Sequence, residues 1–265
     1  MKRNAKGFTL IELLVVISII ALLMSIMMPA LGQVKRIAQA TVCLSNLRHF
    51  GIVGEMFGDD NNDKAPAGFV CELYKYYKDL DLLLCPAAKK RGRVHDDDNE
   101  PDQFRGGKFE AAAQWSGEGC FPDGIDRYIK FSYGKNMHVG GTDWNETGPE
   151  TDWLTTRQKG IQEAPFIADA AGSGVPLPED TPPEFDGQTY LSDPMDINEI
   201  KGFCINRHPA GTVNVLFLDW HARKVGLKEL WVLKWHRLWP RGDGGTGDPV
   251  SLPVWPEWMK KLRDP

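Results

Sequence analysis

The chain has 265 residues, 42% hydrophobic and 25% charged, which is ordinary globular composition with length enough for a buried core, so a disordered or collagen-like polymer is excluded. A net charge of −5 argues against a surface built to neutralise nucleic-acid phosphates, and no nucleic-acid partner is expected. The five cysteines, Cys43, Cys71, Cys85, Cys120 and Cys204, contain no CxxC pair and spell neither a zinc ribbon nor a thioredoxin-type site; their odd number leaves at least one thiol unpaired within the chain.

From Phe8 to Leu31 the chain reads FTLIELLVVISIIALLMSIMMPAL, 24 residues with Glu12 as the only charge. As a helix this run is about 36 Å long, enough to cross a hydrocarbon core of about 30 Å. Lys2, Arg3 and Lys6 precede it, so the positive-inside tendency puts the leader in the cytoplasm and the remainder outside, against the counter-vote of Lys35, Arg36 and Arg48. A cleaved secretory signal would cut near Ala30-Leu31-Gly32, but its apolar region is about 7 to 15 residues, and the uncharged stretch Leu13 to Leu31 has 19. A plain anchor leaves Glu12 unexplained. A carboxylate at mid-membrane costs on the order of 2.5 to 3.5 kcal/mol, so it calls for a partner.

Gly7-Phe8-Thr9-Leu10-Ile11-Glu12, after a short basic leader and before an unbroken apolar run, resembles the processing signature of type IV prepilins and type II secretion pseudopilins. The resemblance implies cleavage after Gly7 by an inner-membrane prepilin peptidase and methylation of the new amino terminus at Phe8. It places Glu12 fifth in the mature chain, at the family's glutamate position, and Pro29 twenty-second, where pilin helices often carry a proline. The physics fits. Gly7 lets the backbone lie close to a protease, and Glu12 can be neutralised by the Phe8 amino group of a neighbouring subunit when helices pack in the right register. Pro29 lacks an N–H and clashes with the carbonyl of Ser25, which predicts a kink or loosening of the helix.

The helix is expected to continue from Gly32 to about Phe57, with Ile37, Ala40, Leu44, Leu47, Phe50, Val53 and Phe57 as an apolar stripe for a sheet. Gly51 and Gly54 cost about 1 kcal/mol each in a helix interior, which predicts a weaker second half or an early end. GDDNNDK, from Gly58 to Lys64, should terminate it. Asp59, Asn61 and Asp63 alternate like the first ligands of a calcium loop, yet the glycine and the distal glutamate are missing, and a solvated loop is expected. Further on, Glu72 to Leu84 has helical apolar spacing and Cys85-Pro86 ends it. The charge run His95 to Gln103 reads as a solvated loop, Tyr128 to Tyr133 and Phe166 to Ala168 as strands, and Gly172 to Pro194 as a surface loop.

Arg207 to Gly211 forms a turn and TVNVLFL, Thr212 to Leu218, an apolar strand that returns through Asp219-Trp220-His221 to Ala222–Val225, a hairpin pattern. It resembles the processing-associated domain of prepilin-like proteins in planctomycete-type bacteria, marked by a histidine, nine residues and Asp-Gly. Here ten residues separate His208 from Asp219, and Trp220 replaces a glycine suited to positive φ, which predicts a longer or bulged turn. Cys43-Leu44-Ser45-Asn46-Leu47, Leu84-Cys85-Pro86, Ser132-Tyr133-Gly134-Lys135-Asn136 and Ile167-Ala168-Asp169 also resemble that group. His208, Asp219 and His221 make a usable metal set, but hairpin ends use Asp and His as backbone caps as well, and the structural reading is preferred. No hydrolase, zincin, Walker or dinucleotide motif occurs. Leu227 to Trp239 reads as a short amphipathic helix, and Trp255 and Trp258 serve either a partner or sugar, or the pinning of the tail onto its own domain, which is favoured.

The reading is therefore an α+β, pilin-like subunit, not an enzyme, with no cofactor. Residues 1–7 are the leader, 8–31 the transmembrane helix, 32–58 its amphipathic continuation, 59–226 the globular domain and 227–265 a C-terminal helix and Pro/Trp-rich tail. The resemblance implies as partners a prepilin peptidase, other pilin or pseudopilin subunits, the inner membrane, and indirectly an assembly platform and ATPase. A membrane-anchored envelope binding module or metal-dependent hydrolase on a prepilin-type anchor is the alternative.

Overall fold

The structure is a computed structural model that describes residues 9–88, 90–91, 93–94, 104–105, 110–115, 120–123, 128–141, 150–171, 181–184, 186, 200–239 and 252–265. Gly7, Phe8, the charge run 95–103 and most of the loop 172–194 lie outside the described residues. The chain divides into two compact units, Met1–Ala38 and Gln39–Pro265.

Helix α1, Leu10–Asp60, runs for 51 residues, and Pro29 sits inside it without ending it. Among the described residues it alone is long and apolar enough to cross a membrane, and its side chains from Leu10 to Ala38 are all exposed. In the second unit the buried stripe is Ala40, Cys43, Leu47, Phe50, Gly51, Val53, Gly54, Phe57 and Gly58. That differs from expectation at two positions: Ile37 is exposed and Leu44 only half-buried, with Cys43 taking the core position instead. Nor does the helix end early at its glycines. A Cβ on Gly51 would stand 2.5 Å from the carbonyl oxygen of Trp220, and one on Gly54 would stand 2.3 to 2.6 Å from three carbons of the Trp220 ring. The missing side chains are what permit close packing, so tertiary contact offsets the propensity cost.

The helix expected over Glu72 to Leu84 is two elements. Helix α2, Cys71–Tyr77, is capped by Lys78 in the left-handed region (φ 53°), whose N–H donates to the Tyr74 carbonyl. A 3-10 turn, Leu80–Leu83, then starts on Asp79, whose carboxylate accepts from the Asp81 N–H. A local Asp cap competes with helix continuation and wins. Cys71 is disulfide-bonded to Cys120; Cys43, Cys85 and Cys204 are free and buried.

Five strands make one sheet: β1 (Lys90–Arg91), β2 (Arg93–Val94), β3 (Phe104–Arg105), β4 (Glu110–Trp115) and β5 (Tyr128–Phe131). Here β4 pairs parallel with β1 and antiparallel with β3 and β5, and β2 pairs with β3. The second sheet is antiparallel throughout, in the order β6 (Tyr133–Lys135), β7 (Pro165–Asp169), β8 (Thr212–Phe217), β9 (Ala222–Gly226). It meets the α+β expectation of a long helix with a small antiparallel sheet. The strand read over Tyr128 to Tyr133 divides at Ser132 between the two sheets, because Ser132 turns its N–H to the Leu83 carbonyl.

Strand β8 is the middle of the core. Leu216, with Leu218 just beyond the strand, joins Leu47, Phe50, Tyr133 and Phe166 on the α1 side. Val213, Val215 and Phe217 join Phe203, Trp231, Trp235 and Met259 on the other. Two-residue alternation lets one strand serve both layers. The helix expected over Leu227 to Trp239 is shorter, a 3-10 turn at Lys228–Val232 that gives way to extended backbone at Leu233. Trp235 is instead fixed by burial and by its indole N–H donating to the Leu230 carbonyl at 2.7 Å. The tail is pinned: Trp255 packs edge-on to Trp231 and Trp258 donates to the Pro183 carbonyl.

Candidate functional site

Two constellations carry chemistry. The first opens α1. The Thr9 N–H and hydroxyl donate to Glu12 Oε2 at 2.9 and 2.6 Å, while the Glu12 N–H donates back to Thr9 Oγ1 at 3.3 Å. This is a capping box: it satisfies two orphan donors of the helix end and sets the carboxylate where the helix dipole favours negative charge. Thr9 was legible in the sequence, since Thr-x-x-Glu before an apolar run is the box's signature, but the reading of Glu12 as a group awaiting an intermolecular partner left its local one unnoticed. Deeper in the same run Ser18 and Ser25 donate their hydroxyls to the Leu14 and Leu22 carbonyls, both at 2.7 Å, which hides their polarity against the helix backbone.

The β8–β9 turn holds Asp219 and His221 together and His208 elsewhere. Asp219 Oδ1 accepts from the His221 N–H at 3.3 Å and meets the ring at Nδ1, and that ring stacks on Phe217 with 4.5 Å between centroids. Trp220 takes φ 69°, so the four-residue connection Leu218–His221 keeps the left-handed step despite lacking glycine. His208 bridges Thr212 at the opposite end of β8. The three residues read as a metal set are therefore not brought to one point.

His208 belongs to the second constellation, buried in the Gln39–Pro265 unit. Cys43 comes from α1, Cys85 follows the 3-10 turn, Asp169 ends β7 and His208 precedes β8; their ligand atoms all lie within 4.8 Å of one another. Cys43 Sγ is 3.2 and 3.5 Å from the two Asp169 oxygens, and His208 Nε2 is 2.9 Å from Asp169 Oδ2 and 3.7 Å from Cys85 Sγ. Around them, Arg207 donates to Asp169 Oδ1 at 3.1 Å and to the Ala170 carbonyl, the Asn214 N–H donates to Oδ2 at 2.8 Å, and the Tyr133 hydroxyl donates to Cys43 Sγ at 3.4 Å. The Ser132 hydroxyl accepts from the Cys85 N–H. The islands around Cys43, Cys85, Ser132-Tyr133 and Asp169 thus meet His208 at one spot, while Asp219 and Trp220 stay at the far end of β8.

Charge is unevenly shared there. Burial pushes the Cys43 thiol well above its ordinary range. Burial also acts to raise Cys85, but hydrogen bonds with Cys43 and His208 and the Arg207 charge outweigh it and bring the thiol to about 6. For Asp169, burial is overcome by His208, Arg207 and the Asn214 N–H, which hold the carboxyl well below the usual range. For His208, burial is overcome by Asp169, which lifts the imidazole to about 9. The set does not make a nucleophile relay. Thiol and carboxylate both approach Nε2, whereas a relay needs the carboxylate on the other ring nitrogen, and His208 Nδ1 is buried without a partner among the described residues.

Comparison with known proteins bears on the first constellation. Residues 2–28 match the family model described as a prokaryotic N-terminal methylation motif. Over 60 residues the chain is 48% identical to the type IV wide pilus major component PilA4 of Thermus thermophilus. That match covers 23% of this chain and 46% of the relative, so the chain spans about half the length of the curated relative it matches. No solved structure matches. The chain is prepilin-like at its N-terminus.

Proposed function

We propose that this chain is a structural filament subunit of the pilin or pseudopilin type, cleaved after Gly7, methylated on Phe8 by a prepilin peptidase, and assembled with other such subunits into a type IV pilus or type II secretion pseudopilus. The observation that carries the reading is the start of α1: an apolar helix of spanning length whose single early charge, Glu12, is held by Thr9 two residues past the cut. In the bilayer, the segment 8–31 anchors the subunit with its N-terminus in the cytoplasm and the remainder on the far side of the inner membrane. The Cys71–Cys120 disulfide supports that side, since such bonds persist where the compartment is oxidising. During assembly the methylated Phe8 amino group of a neighbour meets Glu12, adding an intermolecular partner to the local one, and an assembly platform and ATPase supply the work.

N-terminal mass analysis of the protein isolated from cells tests this in one measurement. The expected result is a chain beginning at Phe8 and carrying one extra methyl group. A chain that retains Met1 to Gly7, or begins at Gln33, overturns it. Glu12→Ala should leave processing intact and abolish filament or secretion-complex assembly, and Gly7→Glu should block maturation.

A further inference from the structure

We propose that Cys43, Cys85, Asp169 and His208 form a structural zinc site that joins α1 to the β6–β9 sheet. Two thiolates, one imidazole and one carboxylate are a donor set suited to zinc, and softer than calcium or magnesium accept. With zinc–sulfur bonds of about 2.3 Å and zinc–nitrogen bonds of about 2.0 to 2.1 Å, tetrahedral ligand atoms stand roughly 3.3 to 3.8 Å apart. The 3.7 Å from Cys85 Sγ to His208 Nε2 and the 3.5 Å from Cys43 Sγ to Asp169 Oδ2 match that spacing, and all four atoms fall within 4.8 Å. The 2.9 Å contact of His208 with Asp169 must open as the metal replaces the proton those two atoms share, and the widest pairs must close by up to about 1 Å. Binding displaces the protons that the ligands still hold, so affinity rises with pH.

The surroundings are those of a closed metal centre. All four ligands are buried, which leaves no open coordination position and makes the role structural rather than catalytic. Arg207 on Asp169 Oδ1, the Asn214 N–H on Oδ2 and the Tyr133 hydroxyl on Cys43 hold the ligands from outside, as an outer shell does. Charge balances as well: two thiolates and a carboxylate against a divalent ion and the buried Arg207 sum to zero. The cysteines are not already spent on each other, since Cys43 and Cys85 are free while Cys71 and Cys120 are bonded.

The test uses the full chain purified in detergent and treated with zinc chloride, then desalted and analysed for metal. About one zinc per chain is expected, lost in the Cys43→Ser/Cys85→Ser double variant and retained in Cys204→Ala, whose thiol is buried elsewhere. Wild-type protein also decides alone if the double variant fails to fold: Cys43 and Cys85 should resist alkylation until a chelator is added, while Cys204 labelling ignores the chelator. No zinc above the double variant, chelator-independent labelling of Cys43 and Cys85, or a Cys43–Cys85 disulfide in the isolated protein each overturns the site. None of these outcomes touches the filament reading, which is decided at the N-terminus.

Discussion

The carbonyl oxygen of Trp220 occupies the space beside Gly51 that a side chain would need, at 2.5 Å from the place of its Cβ. Alanine at this position gains about 1 kcal/mol of helix propensity, but the opposing atom is backbone and cannot rotate away, and overpacking costs about 1 to 3 kcal/mol. Gly51→Ala should therefore destabilise the protein, seen as a lower urea midpoint. An unchanged or raised midpoint would mean that the β8–β9 turn is free to retreat from α1. Trp220→Gly separates the two roles of the tryptophan. It removes the left-handed strain at φ 69°, on the order of 1 kcal/mol, and loses the ring that fills the gap beside Gly54 and packs on Phe166. Burial of an aromatic ring is worth more than that strain, so this variant too should lose stability.

This relationship shows where the sequence could be read and where it could not. Periodicity found the stripe Leu47, Phe50, Val53 and Phe57, because burial on one helix face repeats along the chain. It read Gly51 and Gly54 as weaknesses and Trp220 as a misfit in the turn, since each was judged against local propensity alone. In space the misfits solve one another. The Cys43–Cys85–Asp169–His208 cluster was scattered in the same way: its members lie in islands that were noted singly, and nothing in their spacing says that α1, β7 and the approach to β8 converge. Asp219 and His221, two apart in the turn, touch each other, whereas His208 is separated from them by the length of β8. The 3-10 turn at Lys228–Val232 was missed because Leu230, Trp231 and Trp235 satisfy helical offsets while being fixed by burial in a different geometry.

The Cys71–Cys120 bond closes a loop with a sequence separation of 49 and ties α2 to the segment preceding β5. On chain-entropy grounds such a loop is worth up to about 4 kcal/mol. The double variant Cys71→Ala/Cys120→Ala should show a clear drop in the thermal midpoint of the full chain. Wild-type protein under reducing conditions should approach the same value, although reduction leaves two thiols in place of two methyls. Equal midpoints with and without the bond would show that packing of Leu73 and Tyr77 in the core suffices.

Thr9→Val keeps the shape of the side chain and deletes the hydroxyl that both donates to Glu12 and accepts from its N–H. Loss of such a cap costs about 1 kcal/mol, so backbone amides in the first turn of α1 should exchange faster in detergent micelles, with Thr9→Ser restoring protection. The proposed cleavage after Gly7 would leave the Thr9 N–H in place, so a chain beginning at Phe8 should respond as the full-length one does. If exchange is the same in Thr9→Val as in wild type, the box contributes nothing to the helix start.

His236 sets a pH dependence of its own. It is buried beside His138 and Trp239, with ring centroids 5.0 and 5.1 Å away. Burial, helped by the charges of His138 and Lys234, lowers its pKa from 6.5 to about 4. An unfolded chain takes up this proton near 6.5 and the folded one only near 4. Between those values the unfolded state holds more protons, so stability falls as pH drops through the window and is insensitive to this group above it. From pH 7 to pH 5 the loss is at most about 2 kcal/mol. His236→Phe retains an aromatic ring against Trp239 and cannot be protonated, so its urea midpoint should fall less than that of wild type across the same interval. A parallel decline in both proteins would assign the acid sensitivity to other groups and leave His236 as packing alone.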